Sequence, residues 1–159
     1  MTTLLALDIG GTKVGWGIVE VGQNYTVVER GSIPTEASRG GADVAERICS
    51  LAASLKEAHP EASGVAIASA GVVDPAEGKI VSATDIMPGW GGTPLGKLVE
   101  ERTGLPVRVL NDVHAHGLGE ATLGAGRPYS SVLSIAVGTG IGGALVEDGH
   151  VTFGSRGIA

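Results

Sequence analysis

Leu4-Leu5-Ala6-Leu7-Asp8-Ile9-Gly10-Gly11-Thr12-Lys13-Val14-Gly15-Trp16-Gly17-Ile18-Val19 reads as an apolar strand, a glycine turn and a second apolar strand. The same device returns as Val132-Leu133-Ser134-Ile135-Ala136-Val137-Gly138-Thr139-Gly140-Ile141-Gly142-Gly143-Ala144-Leu145-Val146. With Gly10 laid on Gly138, Leu4-Leu5-Ala6-Leu7 falls on Val132-Leu133-Ser134-Ile135. Successive amides in glycine conformations form a concavity that takes anions. Two such turns facing each other would hold the phosphates of a nucleotide from both sides.

Outward from the first turn, Tyr25–Gly31 reads as a third strand, followed by a polar link over Pro34–Gly41. Val44, Ile48, Leu51 and Leu55 recur at helical spacing, and Pro60 closes that helix. Val65–Ala68 is a short apolar strand, and Val72–Asp74 with Lys79–Ser82 reads as a small hairpin. A loop over Asp85–Gly92 leads to a helix over Leu95–Arg102, with Thr93 as its expected N-cap, Pro94 first inside and Gly104 just past its end. Val107–Leu110 is a buried strand, and Asn111-Asp112 opens a helix running to about Leu123. Gly124–Pro128 links it to the second copy, where Asp148-Gly149 predicts a hairpin turn into His150–Phe153. Strands alternating with helices imply an α/β layer structure. The second copy starts near residue 130 and stops early, so the chain is expected to be a piece of a two-lobed protein of about twice its length, with lobes at 1–125 and 126–159.

Of 159 residues, 27 are glycine, far above the ~7% of ordinary proteins. They follow no three-residue period, so tight turns and close backbone approaches account for them. Apolar content of 43% and charged content of 18% fit a globular chain. A net charge of −6 argues against a nucleic-acid or membrane-surface binder. A phosphate ligand stays open, because amides and a metal bind it without a basic surface. Cys49 is the one cysteine, which fits a reducing compartment. Without a signal peptide or a transmembrane stretch, the expected location is the cytoplasm.

Gly138, Gly140 and Gly143 match the dinucleotide pattern G-x-G-x-x-G, but that pattern needs a helix next. Here Ala144–Glu147 runs straight into Asp148-Gly149, so the context is a hairpin. Any one such turn is most simply a hairpin turn. Two related turns, one carrying Asp8 and Lys13, favour phosphate binding, with Thr12, Thr139 and Lys13 as added donors. Asp8 stands where it could hold Mg2+ through water, and the second copy has Ala136 in that slot. Asn111-Asp112 has two readings. One is the N-cap, the common use of these residues at a helix start. The other is a carboxylate at a strand's carboxyl end, where α/β ligand sites gather, placed to accept the proton of an attacking hydroxyl. His114 and His116, two apart on a helix, make a poor metal pair. Gly117 and Gly119 suggest close packing against another backbone. Trp16 reads as core, and Trp90 as either a core anchor or the wall of a sugar pocket.

Together these pieces resemble the ROK family (repressors, uncharacterised reading frames and sugar kinases), of the superfamily sharing the actin and hexokinase fold. The matching stretches are Asp8–Lys13, Ala68–Asp74, Pro88-Gly89-Trp90, Asn111-Asp112 with Gly119-Glu120 and Gly124–Gly126, and Val137–Gly143. The resemblance implies an actin/hexokinase-like, ribonuclease H-like α/β lobe with a mixed sheet and flanking helices. It implies ATP and Mg2+ as cofactors, with phosphates on Asp8, Gly10, Gly11, Thr12 and Lys13 and on Gly138, Thr139, Gly140 and Gly142. It makes Asp112 the catalytic base, and Gly71, Gly89, Trp90, Asn111 and Asp112 the contacts of a hexose or N-acetylhexosamine. Many relatives place an asparagine where this chain has Asp85-Ile86-Met87. The Glu-x-Gly-His motif and the three-cysteine zinc motif of relatives are absent, so no structural zinc is expected and the chain alone is expected to be inactive or weak. With no helix-turn-helix domain ahead of the first strand, a kinase is favoured over the sugar-sensing module of a repressor. An exposed strand edge in the incomplete second copy points to a homo-oligomer, a dimer.

Overall fold

The computed structural model describes residues 1–137, 141–155 and 157. The chain divides into two compact units, Met1–Leu110 and Asn111–Ala159. The sequence repeat suggests a boundary near residue 125. The division falls earlier because the helix after Asn111 packs against the second hairpin.

The first unit is built on a five-stranded mixed sheet. β1 (Thr2–Ile9) pairs antiparallel with β2 (Lys13–Val21), and β2 with β3 (Tyr25–Pro34). On its other side β1 pairs parallel with β4 (Ala62–Ser69), and β7 (Val107–Asn111) completes the order β3-β2-β1-β4-β7. β3 runs beyond the expected Gly31, because β2 offers a partner as far as Lys13, which pairs with Pro34. A short hairpin of β5 (Val72–Asp74) and β6 (Lys79–Ser82) stands apart as its own two-stranded sheet.

Alternation in β1 buries Leu5, Leu7 and Ile9. α1 (Gly41–Ala58) meets them with Val44, Ile48, Ala52 and Leu55 on one face. Each of the Val, Ile and Leu side chains contributes about 1.5–3 kcal/mol when fully buried. α2 (Leu95–Thr103) packs on α1 and ends at Gly104 in a left-handed conformation, as expected. Its start differs from expectation. Pro94 is the N-cap and no side chain caps the helix; the Thr93 carbonyl accepts the Ile80 N–H (2.9 Å) and its own N–H donates to Trp90 O (3.3 Å). That tie to β6 fixes the approach to α2 and overrides the local capping preference.

In the second unit α3 (Asp112–Thr122) packs against a three-stranded sheet ordered β10-β9-β8, made of β8 (Ser131–Val137), β9 (Ile141–Glu147) and β10 (His150–Thr152). Asp148 and Gly149 both take positive φ between β9 and β10, as the predicted two-residue turn requires. A Cβ at Gly117 would lie 2.6 Å from the Cβ of Ala144, so this glycine is a close-approach site. Gly119 is not: nothing lies within 4 Å of its Cβ position. His114 is buried, its ring set edge-on to Phe153 at 5.3 Å. The face of β8 that carries Leu133, Ile135 and Val137 is exposed. Among the described residues no helix is long and apolar enough to cross a membrane.

Candidate functional site

β1 and β4 run parallel, so their carboxyl ends lie side by side, the usual place for ligands in α/β sheets. Asp8 is exposed at the end of β1, opposite Gly15 on one side and Ala68 on the other. The turn after it is closed by the Gly10 N–H donating to Lys13 O at 3.0 Å. Neither Gly10 nor Gly11 is left-handed. Gly11 is tight for another reason, since its Cβ would stand 2.8 Å from Ile86 Cγ2. The N–H groups of Gly11 and Thr12 donate no hydrogen bond among the described residues. Thr12 and Lys13 are exposed. These orphan donors beside the Asp8 carboxylate suit a phosphate with its magnesium ion.

One residue here escaped the sequence reading. Thr35 is 1% exposed. Its hydroxyl donates to Gly10 O at 2.6 Å and its N–H to Thr12 O at 3.0 Å. A threonine in a polar link has no periodicity to mark it.

The end of β4 carries the second group. The Ala70 N–H donates to Ile9 O (3.1 Å), tying this turn to β1. Gly71 has φ +98°, and a Cβ there would meet Ser82 O at 2.7 Å. Trp90 is fully buried, so its side chain lines no open pocket. Its Nε1 donates to Ser69 Oγ and Ala70 O, each at 3.3 Å, which makes it the anchor that holds the turn before Gly71. Gly89, at φ +75°, turns the chain just ahead of it, and its carbonyl crowds Gly41 at the start of α1. Asp8–Lys13, Gly71 and the loop at 86–90 are thus gathered in one unit.

In the second unit Asn111 caps α3. Its Oδ1 accepts the Val113 N–H (3.0 Å) and the His114 N–H (3.1 Å). Its Nδ2 donates to Asp112 Oδ1 (3.0 Å), which also accepts the Val113 N–H at 3.0 Å. Asp112 is half-buried, with one carboxylate oxygen fixed and no partner for Oδ2 among the described residues. A Cβ at Gly142 would meet Val113 Cγ2 at 2.8 Å, so the start of β9 lies directly on the first turn of α3. Gly138, Thr139 and Gly140, expected to bind phosphate, lie outside the described residues.

No three His, Cys, Asp or Glu side chains among the described residues cluster to hold a metal. A cavity of about 630 Å³ opens between α1 and α2, lined among others by Ala45, Cys49, Gly89 and Arg102. Gly89 is the one expected ligand residue on it. Burial pushes the Cys49 thiol up from its ordinary range, against a smaller pull from Arg102, so it is no ready nucleophile.

A model of the ROK family matches residues 4–159. The glucokinase of Thermotoga maritima is 34% identical, covering 98% of this chain and 48% of that protein. The N-acetylmannosamine kinase of Salmonella arizonae is 32% identical, covering 99% of this chain and 52% of that protein. Among solved structures, a ROK family glucokinase from Streptomyces griseus in complex with glucose and AMPPNP superposes with a TM-score of 0.84 at 32% identity, over 99% of this chain and 48% of that one. The chain spans about half the length of the curated relatives it matches.

Proposed function

Because the chain belongs to the ROK family and carries its actin/hexokinase-like α/β fold, we propose that it is the amino-terminal part of an ATP-dependent hexose kinase of glucokinase type. The observation that carries this reading is the carboxylate of Asp112, with Oδ1 held by Asn111 Nδ2 and the Val113 N–H. Its Oδ2 is the acceptor for the proton of the attacking sugar hydroxyl. Phosphoryl transfer asks mainly for position and charge stabilisation, and a base fixed at one oxygen supplies position. A module that only senses a sugar needs no such base.

The Gly10–Lys13 turn would hold phosphate oxygens through the Gly11 and Thr12 amides and the Lys13 ammonium, and Asp8 would hold Mg2+, which would offset phosphate charge. Gly138, Thr139, Gly140 and Gly142 supply the second cradle. Bound Mg·ATP brings the phosphoryl group to be transferred. Gly71, Gly89 and Asn111 border the sugar, while Trp90 keeps the Ser69-Ala70 turn in place. The substrate is a hexose or N-acetylhexosamine, the class that the names of the relatives span. The enzyme works in the cytoplasm, where a free thiol such as Cys49 persists.

The test is Asp112→Asn in the full-length protein. Turnover is expected to fall by roughly 10²–10⁴-fold while calorimetry still records sugar binding. Undiminished turnover would refute the role. Sugar binding by the wild type with no binding of Mg·ATP would favour the sensing module instead.

A further inference from the structure

Thr35 directs both of its donors at one turn: the hydroxyl at Gly10 O and the N–H at Thr12 O. In a trans peptide the C=O and the next N–H point opposite ways across one rigid plane. Holding the Gly10 carbonyl therefore fixes the Gly11 N–H on the opposite side of that plane. The Gly11 N–H has no partner among the described residues, so it stands as an open donor. The plane lies between two glycines, which offer little resistance to rotation. Left unheld, it could turn over and present the carbonyl oxygen, replacing a donor for phosphate with an acceptor that repels it.

Thr35 is itself braced from both sides. Arg47, on α1, donates from Nη2 to Pro34 O (2.8 Å) and from Nη1 to Glu36 Oε2 (3.2 Å). Glu36 holds a left-handed conformation, φ 55° and ψ 45°, that sets the bend after Thr35. One guanidinium thus grips the residues on either side of the threonine.

We propose that Thr35, braced by Arg47, is a positioning residue that keeps the Gly10–Gly11 peptide with its N–H turned toward a phosphoryl oxygen. This rests on the reading of the Gly10–Lys13 turn as a phosphate cradle. The test compares Thr35→Val, which keeps shape and loses the hydroxyl, with Thr35→Ser, which keeps the hydroxyl. Mg·ATP is titrated into the full-length protein by calorimetry, and the Gly11 amide is followed by ¹⁵N NMR.

In the wild type the Gly11 amide shifts on addition of Mg·ATP. Thr35→Val is expected to weaken binding by about tenfold, the worth of one well-placed hydrogen bond, with the Gly11 response diminished. Thr35→Ser stays within about twofold, well short of the tenfold that a hydrogen bond represents. Wild-type affinity and an unchanged Gly11 shift in Thr35→Val would overturn the proposal and leave the kinase reading standing. A wild type that binds no Mg·ATP would overturn the cradle itself, and this proposal with it. Should Thr35→Val lose its native spectrum, Arg47→Lys replaces it: it slackens the brace without touching the turn, and unchanged affinity there is equally fatal.

Discussion

Replacing Asn111 by alanine separates two uses of one side chain. Its Oδ1 accepts two helix N–H groups, from Val113 and His114, and its Nδ2 donates to the Asp112 carboxylate. Loss of an N-cap costs about 0.5–2 kcal/mol. The Val113 N–H keeps Asp112 Oδ1 as an acceptor, so only His114 loses its capping partner, which puts the cap term in the lower half of that range. The half-buried bond to a carboxylate adds about 1 kcal/mol. A total of roughly 1.5–2.3 kcal/mol follows, a fall in Tm on the order of 3–9 °C for a chain of this size. Urea titration measures the total, and amide hydrogen exchange locates it. Protection should drop at His114 and persist at Val113. Asn111→Ser restores the cap and should recover the cap share, roughly half of the loss. If it recovers stability but not sugar affinity, the amide is a sugar contact as well as a cap. Unchanged stability and unchanged His114 protection in Asn111→Ala would refute the capping geometry.

Two glycines of α3 should respond in opposite directions. Gly119→Ala, with open space at its Cβ, should stabilise by roughly 0.5–1 kcal/mol through helix propensity. Gly117→Ala drives a methyl against Ala144 and Ser134, and overpacking of about 1–3 kcal/mol outweighs that gain; equal behaviour of the two in urea titration would contradict the packing. Gly71→Ala combines a left-handed φ with a backbone oxygen 2.7 Å from the new Cβ. A loss of roughly 2–4 kcal/mol is expected, and a denaturation midpoint equal to the wild type would show that the turn after β4 relaxes freely.

The elements most legible in the sequence are those whose residues answer to local rules. Leu5, Leu7 and Ile9 alternate because β1 buries one face. Val44, Ile48 and Leu55 recur because α1 lies on a sheet, and Gly104 and Asp148-Gly149 mark their own turns. Where partners distant in sequence decide, the local reading misses. Thr93 satisfies every local condition for a cap, yet its carbonyl is taken by Ile80 of β6. β3 outruns its apolar stretch because β2 supplies a ladder. Among the candidate residues, Asp8 and Asn111-Asp112 each stand out from their positions at strand ends. Thr35 does not, since its importance comes from two carbonyls far earlier in the chain. Trp90 carried two readings that only burial distinguishes, and its indole is turned wholly inward.

The two hairpins are related, but they diverge at the turn. Ile9 pairs with Val14 across Gly10–Lys13, whereas Val137 pairs with Ile141 across one residue fewer. Beyond the turn, the alignment that puts Gly10 on Gly138 therefore slips by one, and a slip of one exchanges the faces of a strand. Asp8 pairs with Gly15, and the residue in its slot, Ala136, pairs with Gly142. Gly142 is thus the structural counterpart of Gly15, and its lack of a side chain is accounted for by Val113 packed beneath it. The cross-strand pair is the same in both copies, and only the first keeps a carboxylate in it. In the proposed reading the metal-linked phosphate site therefore falls to the first turn, where the carboxylate is, while the strand after the second turn lies close to the helix that Asp112 begins.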